Sequence, residues 1–255
     1  MNLDRVKAVI SGGASGLGLA TAARLVAGGG QVALLDVQDE AGREAAAMFG
    51  PAASYHRCDV TNESAVDSAV RAAAARMGGL NVAVSCAGVA TPGKLLGKDG
   101  PLAVAAFQRV MDINVLGTFL LDRAAALIMQ GNAPDADGER GLLLHTASVA
   151  AFEGQVGQVA YATSKSAVAG MVLPLARELA RFGIRVVGVA PGIFGTPMMA
   201  GLPQEAQDSL GKQVPFPPRL GRPEEYADLV AAIVVNRMLN GDTIRLDGAI
   251  RMAPR

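Results

Sequence analysis

Short apolar runs of strand length recur along the chain at 6–10, 32–35, 54–58, 82–86, 142–146, 184–190 and 243–246. They are almost continuously apolar instead of alternating, as parallel strands covered on both faces must be. Between them lie alanine-rich stretches with helical spacing of apolar residues, at 16–27, 64–77, 107–129 and 161–181. Strand, helix and strand in repetition predict βαβ crossovers, hence an α/β protein with one doubly wound parallel sheet of about seven strands. Right-handed crossovers put helices on both faces and gather the carboxyl ends of the strands along one edge, where ligands bind. Gly/Pro-rich or polar segments at 91–101 and 132–141 interrupt the rhythm and read as surface loops. The segment 193–220 combines Pro, Gly, the adjacent Met198 and Met199, and Phe216 just after the sixth strand. It reads as an apolar lid over the site, with a static packed loop as the alternative.

No linker divides the 255 residues, so a single domain is expected. Apolar residues make up 51% of the chain, more than a lone subunit needs for its interior, which points to surface buried between subunits. Lys plus Arg and Asp plus Glu both number 23 and no dense basic run occurs, so nucleic acid is a poor candidate for partner. The first residues enter a strand at once, leaving no room for a signal peptide, and no uninterrupted apolar run reaches the ~18 residues of a membrane helix. A cytoplasmic protein with no membrane partner is expected. Cys58 and Cys86 fall at the ends of the third and fourth strands, about 14 Å apart if the strand order begins 3-2-1-4. A disulfide spans only ~7 Å, so both are expected as buried free thiols.

The sequence SGGASGLG at 11–18 follows the first strand and opens a helix. Gly12, Gly16 and Gly18, interleaved with Ser11, Ser15 and Leu17, can let the backbone approach a pyrophosphate at a helix N-terminus. Such spacing arises by chance in chains rich in Ala and Gly; its context gives it weight. Asp36 ends the second strand about 20 residues on, where a carboxylate can bond the adenosine ribose. A Rossmann-type site for NAD is expected, because a 2′-phosphate would be repelled by Asp36 with no cation at Ala14, Ser15 or Val37 to offset it. Asp59 and Val60 can cover the adenine, or DVTNES can simply cap the next helix, and both readings can hold. Cys86, Ala87 and Gly88 are small enough to let the backbone pass close to the cofactor.

Tyr161 and Lys165, in YATSK, lie four residues apart and share a helix face. Ser148 follows the fifth strand and can face the same pocket, while Asn114 stands inside an expected helix, where Asn is a mediocre former unless its side chain has a task. Singly these are a half-buried Tyr, a helix-surface Lys, a strand-end Ser and a mid-helix Asn; jointly they set four polar groups beside the dinucleotide. A tyrosine acting as a base near pH 7 needs its pKa of about 10 lowered by roughly 3 units, or about 4 kcal/mol, which Lys165 and an oxidised nicotinamide would supply as positive charges. His56 and His145 lack metal-ligand spacing and a neighbouring nucleophile, so they read as strand filling, and no metal is expected.

Together, SGGASGLG, SCAG, Asn114 in INVLG, Ser148, YATSK and Pro191-Gly192 resemble the short-chain dehydrogenase/reductase family over essentially the whole chain. The resemblance implies the sheet order 3-2-1-4-5-6-7 and a proton-exchanging Tyr161. It also implies that Lys165 holds the nicotinamide ribose, Ser148 positions the substrate and Asn114 anchors a water relay. Beyond Pro191 and Gly192, Thr196 and the Ile193 backbone would meet the carboxamide. Two departures stand out: Ser11 replaces the usual Thr, and Ser85-Cys86 replaces a usual pair of Asn, which touches the bracing of the sheet and not the proton path. Longer stretches at 147–161, 191–198, 214–221 and 244–252 resemble those members that oxidise 3-hydroxyacyl-CoA thioesters. A short 3-hydroxyacyl-CoA is therefore the first substrate expected, a hydroxysteroid or other secondary alcohol the second, and a non-catalytic dinucleotide-binding scaffold the third. Gln155 could reach the thioester carbonyl, and Met198, Met199 and Leu202 could form a deformable apolar wall. The plainer alternative makes Gln155 a solvated amide and the methionines lid packing. Lysines in 93–100 could meet CoA phosphates or merely be solvated. A homotetramer is expected, with two-fold-related helices and the C-terminal RLDGAIRMAPR as contacts.

Overall fold

A computed structural model describes residues 1–98, 100–200 and 203–254, apart from the side chains of 198, 200 and 206. The main sheet is built of seven strands, β1 (Lys7–Ser11), β2 (Gln31–Asp36), β3 (Ala53–Arg57), β4 (Val82–Ser85), β5 (Gly141–Thr146), β6 (Ile184–Pro191) and β7 (Thr243–Leu246); apart from it stands a two-stranded antiparallel pair, Leu96–Gly97 with Gly100–Pro101. The seven pair in parallel, in the order β3-β2-β1-β4-β5-β6-β7, with Ile10 in register with Leu34 on one side and Val84 on the other. The helices are α1 (Gly16–Ala27), α2 (Asp39–Met48), α3 (Glu63–Met77), α4 (Val104–Met111), α5 (Gly117–Met129), α6 (Val159–Leu179), α7 (Pro197–Ala200), α8 (Gln204–Lys212) and α9 (Pro223–Val235). Leu34, Val84, Leu142 and Leu144 point into a core beneath α1, α2 and α9; Val9, Leu35, Leu143 and Val186 point into another beneath α3, α5 and α6. Burial on both faces explains why the strands read as unbroken apolar runs.

The helix expected over 107–129 begins earlier and is broken by a π turn, Asp112–Leu116, between α4 and α5. Hydropathy is blind to a single widened turn. The α4–α5 rod and the α6 rod with its terminal turn, Val104–Met129 and Val159–Phe182, are long and apolar enough to cross a membrane by length and composition. Occasional polar residues break the apolar run in the sequence but not the helix. Each lays Leu121 and Ala125, or Val172 and Ala176, into a core against the sheet. Their outer faces leave Phe119, Leu127 and Leu173 exposed.

The loop at 132–141 is less of a surface excursion than its polarity suggests. Glu139 is buried and binds Arg185 Nε at 2.8 Å, while Arg237 reaches Asp135 at 2.8 Å. Arg185, a cation inside β6, also donates to Ile233 O at the end of α9 and to Leu239 O in the turn beyond it. His145 in β5 and Asp122 in α5 are both buried, and Nε2 and Oδ2 meet at 2.8 Å but outside hydrogen-bond angles.

Candidate active site

The carboxyl ends of β1, β2, β4, β5 and β6 open into one cleft of about 780 Å³. At its floor Gly12 donates to Leu35 O at 2.8 Å with φ +64, and a Cβ there would stand 2.8 Å from Ala87 N. A Cβ on Gly18 would meet Gly12 O at 2.3 Å, so the turn closes onto α1 only with glycine at both positions. Ser15 caps α1 without spending its hydroxyl on the helix, and Ser15, Gly16 and Leu17 line the cleft beside the free amides of that helix end. Ser11 does not line it: its Oγ accepts from Ala87 N at 3.3 Å, bracing β1 to the end of β4. That corrects the placement of Ser11 in the cofactor cradle.

Asp36 lines the cleft, its Oδ2 accepting from Ala14 N and its Oδ1 from Gln38 N, both at 3.1 Å. A cation missed in the sequence stands nearby, since strand register pairs Arg57 with Asp36. Its guanidinium is tied to Asp39 Oδ2 at 2.7 Å and Val37 O at 3.3 Å. Asp59 and Val60 also line the cleft. Asp59 holds Thr61 N and Oγ1, whereas the cap of α3 is Asn62, accepting from Ala65 N at 3.0 Å. Cys58 and Cys86 are both free, but Cys86 is only partly buried and faces the cleft with Ala87 and Gly88. A nicotinamide dinucleotide fits this donor set: a carboxylate for a ribose, a glycine turn with open amides for a pyrophosphate, and a small-residue wall at β4.

Ser148, Tyr161 and Lys165 converge at the far end of the cleft. The Lys165 ammonium donates to Thr146 O at 2.7 Å and lies 5.8 Å from the Tyr161 ring centroid. Burial pushes Lys165 down to about 8. Burial also pushes the Tyr161 phenol up, and a hydrogen bond with Ser148 pulls it back. The apoprotein therefore works against the lowered tyrosine pKa expected from the sequence. Asn114 is brought near but not into the cleft. Its Oδ1 accepts from Val89 N at 2.8 Å and its Nδ2 donates to Val89 O and Ser164 Oγ, clamping the turn after β4 onto α6. Both Nδ2 hydrogens are thus committed, while Oδ1 keeps a second lone pair.

On the remaining wall, Pro191, Gly192, Ile193, Thr196 and Met199 face the cleft, with the Ile193 carbonyl taken by Gly221 N at 2.9 Å. Leu202 and the side chain of Met198 lie outside the described residues. Gln155 does not face the cleft, because its amide donates to Ala253 O at 2.8 Å and turns toward a second cavity. Gln158 takes the position instead, one helical turn before Tyr161, a spacing that could have identified it. Arg109 and Met252 also reach the cleft, from α4 and the C-terminal segment, and no local signal marked either.

The profile of the family described as short chain dehydrogenase matches residues 6–207. Human 3-hydroxyacyl-CoA dehydrogenase type-2 is 52% identical over 249 residues, which cover 97% of this chain and 95% of that protein. Ipsdienol dehydrogenase of Ips pini is 34% identical over 249 residues, covering 95% of this chain and 96% of its own. The crystal structure of 3-hydroxyacyl-CoA dehydrogenase type-2 from Mycobacterium avium aligns with a TM-score of 0.94 at 39% identity, over 98% of this chain and 97% of that one.

Proposed function

The chain belongs to the short-chain dehydrogenase/reductase family, and from that premise we propose that it oxidises short 3-hydroxyacyl-CoA thioesters with NAD. The observation that carries the chemistry is the meeting of Ser148, Tyr161 and Lys165 on one wall of a dinucleotide-shaped cleft. When bound, the dinucleotide supplies the acceptor for the hydride leaving the carbinol carbon. Ser148 Oγ holds the substrate oxygen, and the Tyr161 phenolate takes the hydroxyl proton. Lys165, anchored on Thr146 O, brings positive charge to the phenolate and opposes the burial that otherwise raises its pKa. The reverse reaction returns the proton from the phenol.

NAD is favoured by Asp36, whose charge faces the ribose end with the nearest guanidinium already engaged by Asp39. The substrate class follows from the relatives named for it, and from a neighbouring cavity of about 520 Å³ that Gln158 joins to the cleft. Lys94 and the apolar Leu95, Leu96 and Val156 line that cavity, a chemistry suited to the phosphate and pantetheine parts of CoA. The segment 193–220, with α7 and α8, would close over the acyl chain. The exposed Phe119, Leu127 and Leu173 would be covered in a homotetramer.

Tyr161→Phe is expected to lower turnover at least ~10²-fold while the dinucleotide still binds by calorimetry. Retained turnover with an unchanged pH profile would overturn the acid–base assignment. A substrate panel read by reduced-nicotinamide absorbance is expected to show short 3-hydroxyacyl-CoA oxidised ahead of steroid and terpenoid alcohols. Inert acyl-CoA beside active steroid would replace the substrate.

A further inference from the structure

Thr146 closes β5 at the point where the two helical layers meet the cleft. Its backbone carbonyl receives the Lys165 ammonium at 2.7 Å, reached from α6 on one face of the sheet. Its side chain points to the opposite face, where Thr146 Oγ1 lies 2.7 Å from the hydroxyl of Tyr226 on α9. Tyr226 is completely buried in the core beneath α1 and α9. The Cys86 thiol joins them from the end of β4, 3.4 Å from Thr146 Oγ1 and 3.8 Å from the Tyr226 hydroxyl. The carbonyl that fixes Lys165 thus belongs to a residue whose own side chain is pinned from behind.

The geometry points to Tyr226 as a positioning residue that holds Lys165 in place through Thr146. The inference rests on the reading of Lys165 as the cation beside the reactive phenol. A buried phenol hydroxyl needs a partner wherever it lies, so satisfying Tyr226 would by itself demand only some acceptor. What distinguishes this one is its location: the bond ends on the single residue that also carries the ammonium's anchor, two positions before Ser148. The titratable groups facing the junction are Cys86 from β4, Tyr161 and Lys165 from α6, and Tyr226 from α9. Freed of the bond, the strand end can shift by the few tenths of an ångström that degrade a preorganised site. The ammonium would then lose part of the hydrogen bond that favours its charged form.

The test uses Tyr226→Phe, which keeps the ring and removes the hydroxyl, Thr146→Val, and the double variant. The lysines are Lys7, Lys94, Lys98, Lys165 and Lys212, so lysine-selective carbon-13 labelling with NMR titration resolves Lys165, assigned by its loss in Lys165→Met. In the cofactor-free protein, either single substitution is expected to lower the Lys165 midpoint by about half a unit. In turnover it is expected to lower kcat about fivefold with the KM for dinucleotide changed less than about twofold. The double variant is expected to do no more than the larger single change, because both remove one bond. An unmoved Lys165 midpoint beside a lowered melting temperature would overturn the inference and leave Tyr226 a packing residue; so would effects that multiply. Should Tyr226→Phe fail to fold, Thr146→Val decides in the same way. The Lys165 titration needs no turnover, so an active Tyr161→Phe would sink the acid–base reading without touching this result.

Discussion

Replacing Asp36 probes the cofactor preference, and the structure dictates which replacement is informative. Alanine would remove both oxygens that accept from Ala14 N and Gln38 N at 3.1 Å. Two donors left without partners cost about 1–3 kcal/mol each, a large share of a typical 5–15 kcal/mol stability, so weakened binding would be confounded with unfolding. Asp36→Asn keeps one acceptor and the shape while deleting the charge. Hydrogen bonds to a charged acceptor contribute about 1.5–3 kcal/mol against 0.5–1.5 for a neutral one, so NAD should bind about 5- to 10-fold more weakly. The opposing effect acts on NADP. A carboxylate about 4 Å from a phosphate charge repels it by about 4 kcal/mol at an effective dielectric of 20, and screening at the cleft mouth halves that, leaving roughly 30-fold. The ratio of kcat/KM for NAD over NADP is therefore expected to narrow by about 150- to 300-fold. Steady-state rates with both dinucleotides at fixed ionic strength measure it, with thermal melts to confirm folding. A change below threefold, or a wild type already favouring NADP, would refute the reasoning about this end of the cleft.

Two further outcomes follow from the buried ionisable groups. Lys165 is held at about 8 by burial against ~10.4 in an unfolded chain, so the unfolded state binds more protons between those values and stability rises with pH across them. Relative to Lys165→Met, the cofactor-free protein is expected to gain up to about 3 kcal/mol from pH 8 to 10.5 in chemical denaturation, and a flat difference would contradict the buried-ammonium picture. Asp122 and His145 bury side-chain nitrogens and oxygens without hydrogen-bond partners, so Asp122→Leu combined with His145→Leu is expected to raise stability by about 1–3 kcal/mol; a lowered urea midpoint for the pair substitution would show that their close approach stabilises the fold.

The strands and the helical layers were legible because burial on both faces leaves its mark in composition, whereas the strand order came only with the family resemblance; the glycine turn, Asp36, Ser148, Tyr161 and Lys165 stood out because their spacing is local. Long-range geometry was not legible. Arg57 comes beside Asp36 only through strand register, and Tyr226 meets Thr146 only because α9 packs behind β5. Asn114, a poor helix former kept inside a helix, has a task its type signals, but its partners Val89 and Ser164 are set by tertiary packing. Gln155 turns away while Gln158 faces the cleft, and sequence distance from Ser148 says nothing about which way a tight turn sends each amide. Ser11 follows the same lesson: adjacency to a motif does not put a side chain inside the site.

The π turn at Asp112–Leu116 sets a phase between the two halves of one rod. An α-helix advances about 100° per residue, so the single extra residue in a wide turn rotates everything after it by that angle relative to an unbroken helix. Upstream, Arg109 looks into the cleft, as does Ile113 within the turn; downstream, Leu120, Leu121 and Ala124 look into the core while Phe119 and Leu127 look outward. Removing one residue between 112 and 116 would yield a more regular helix and a misaddressed one, since no rotation of the shortened rod satisfies both ends. Chain length in this stretch is thus constrained along with the identity of Asn114, since one residue fewer would turn the clamp and the core-facing side chains out of register.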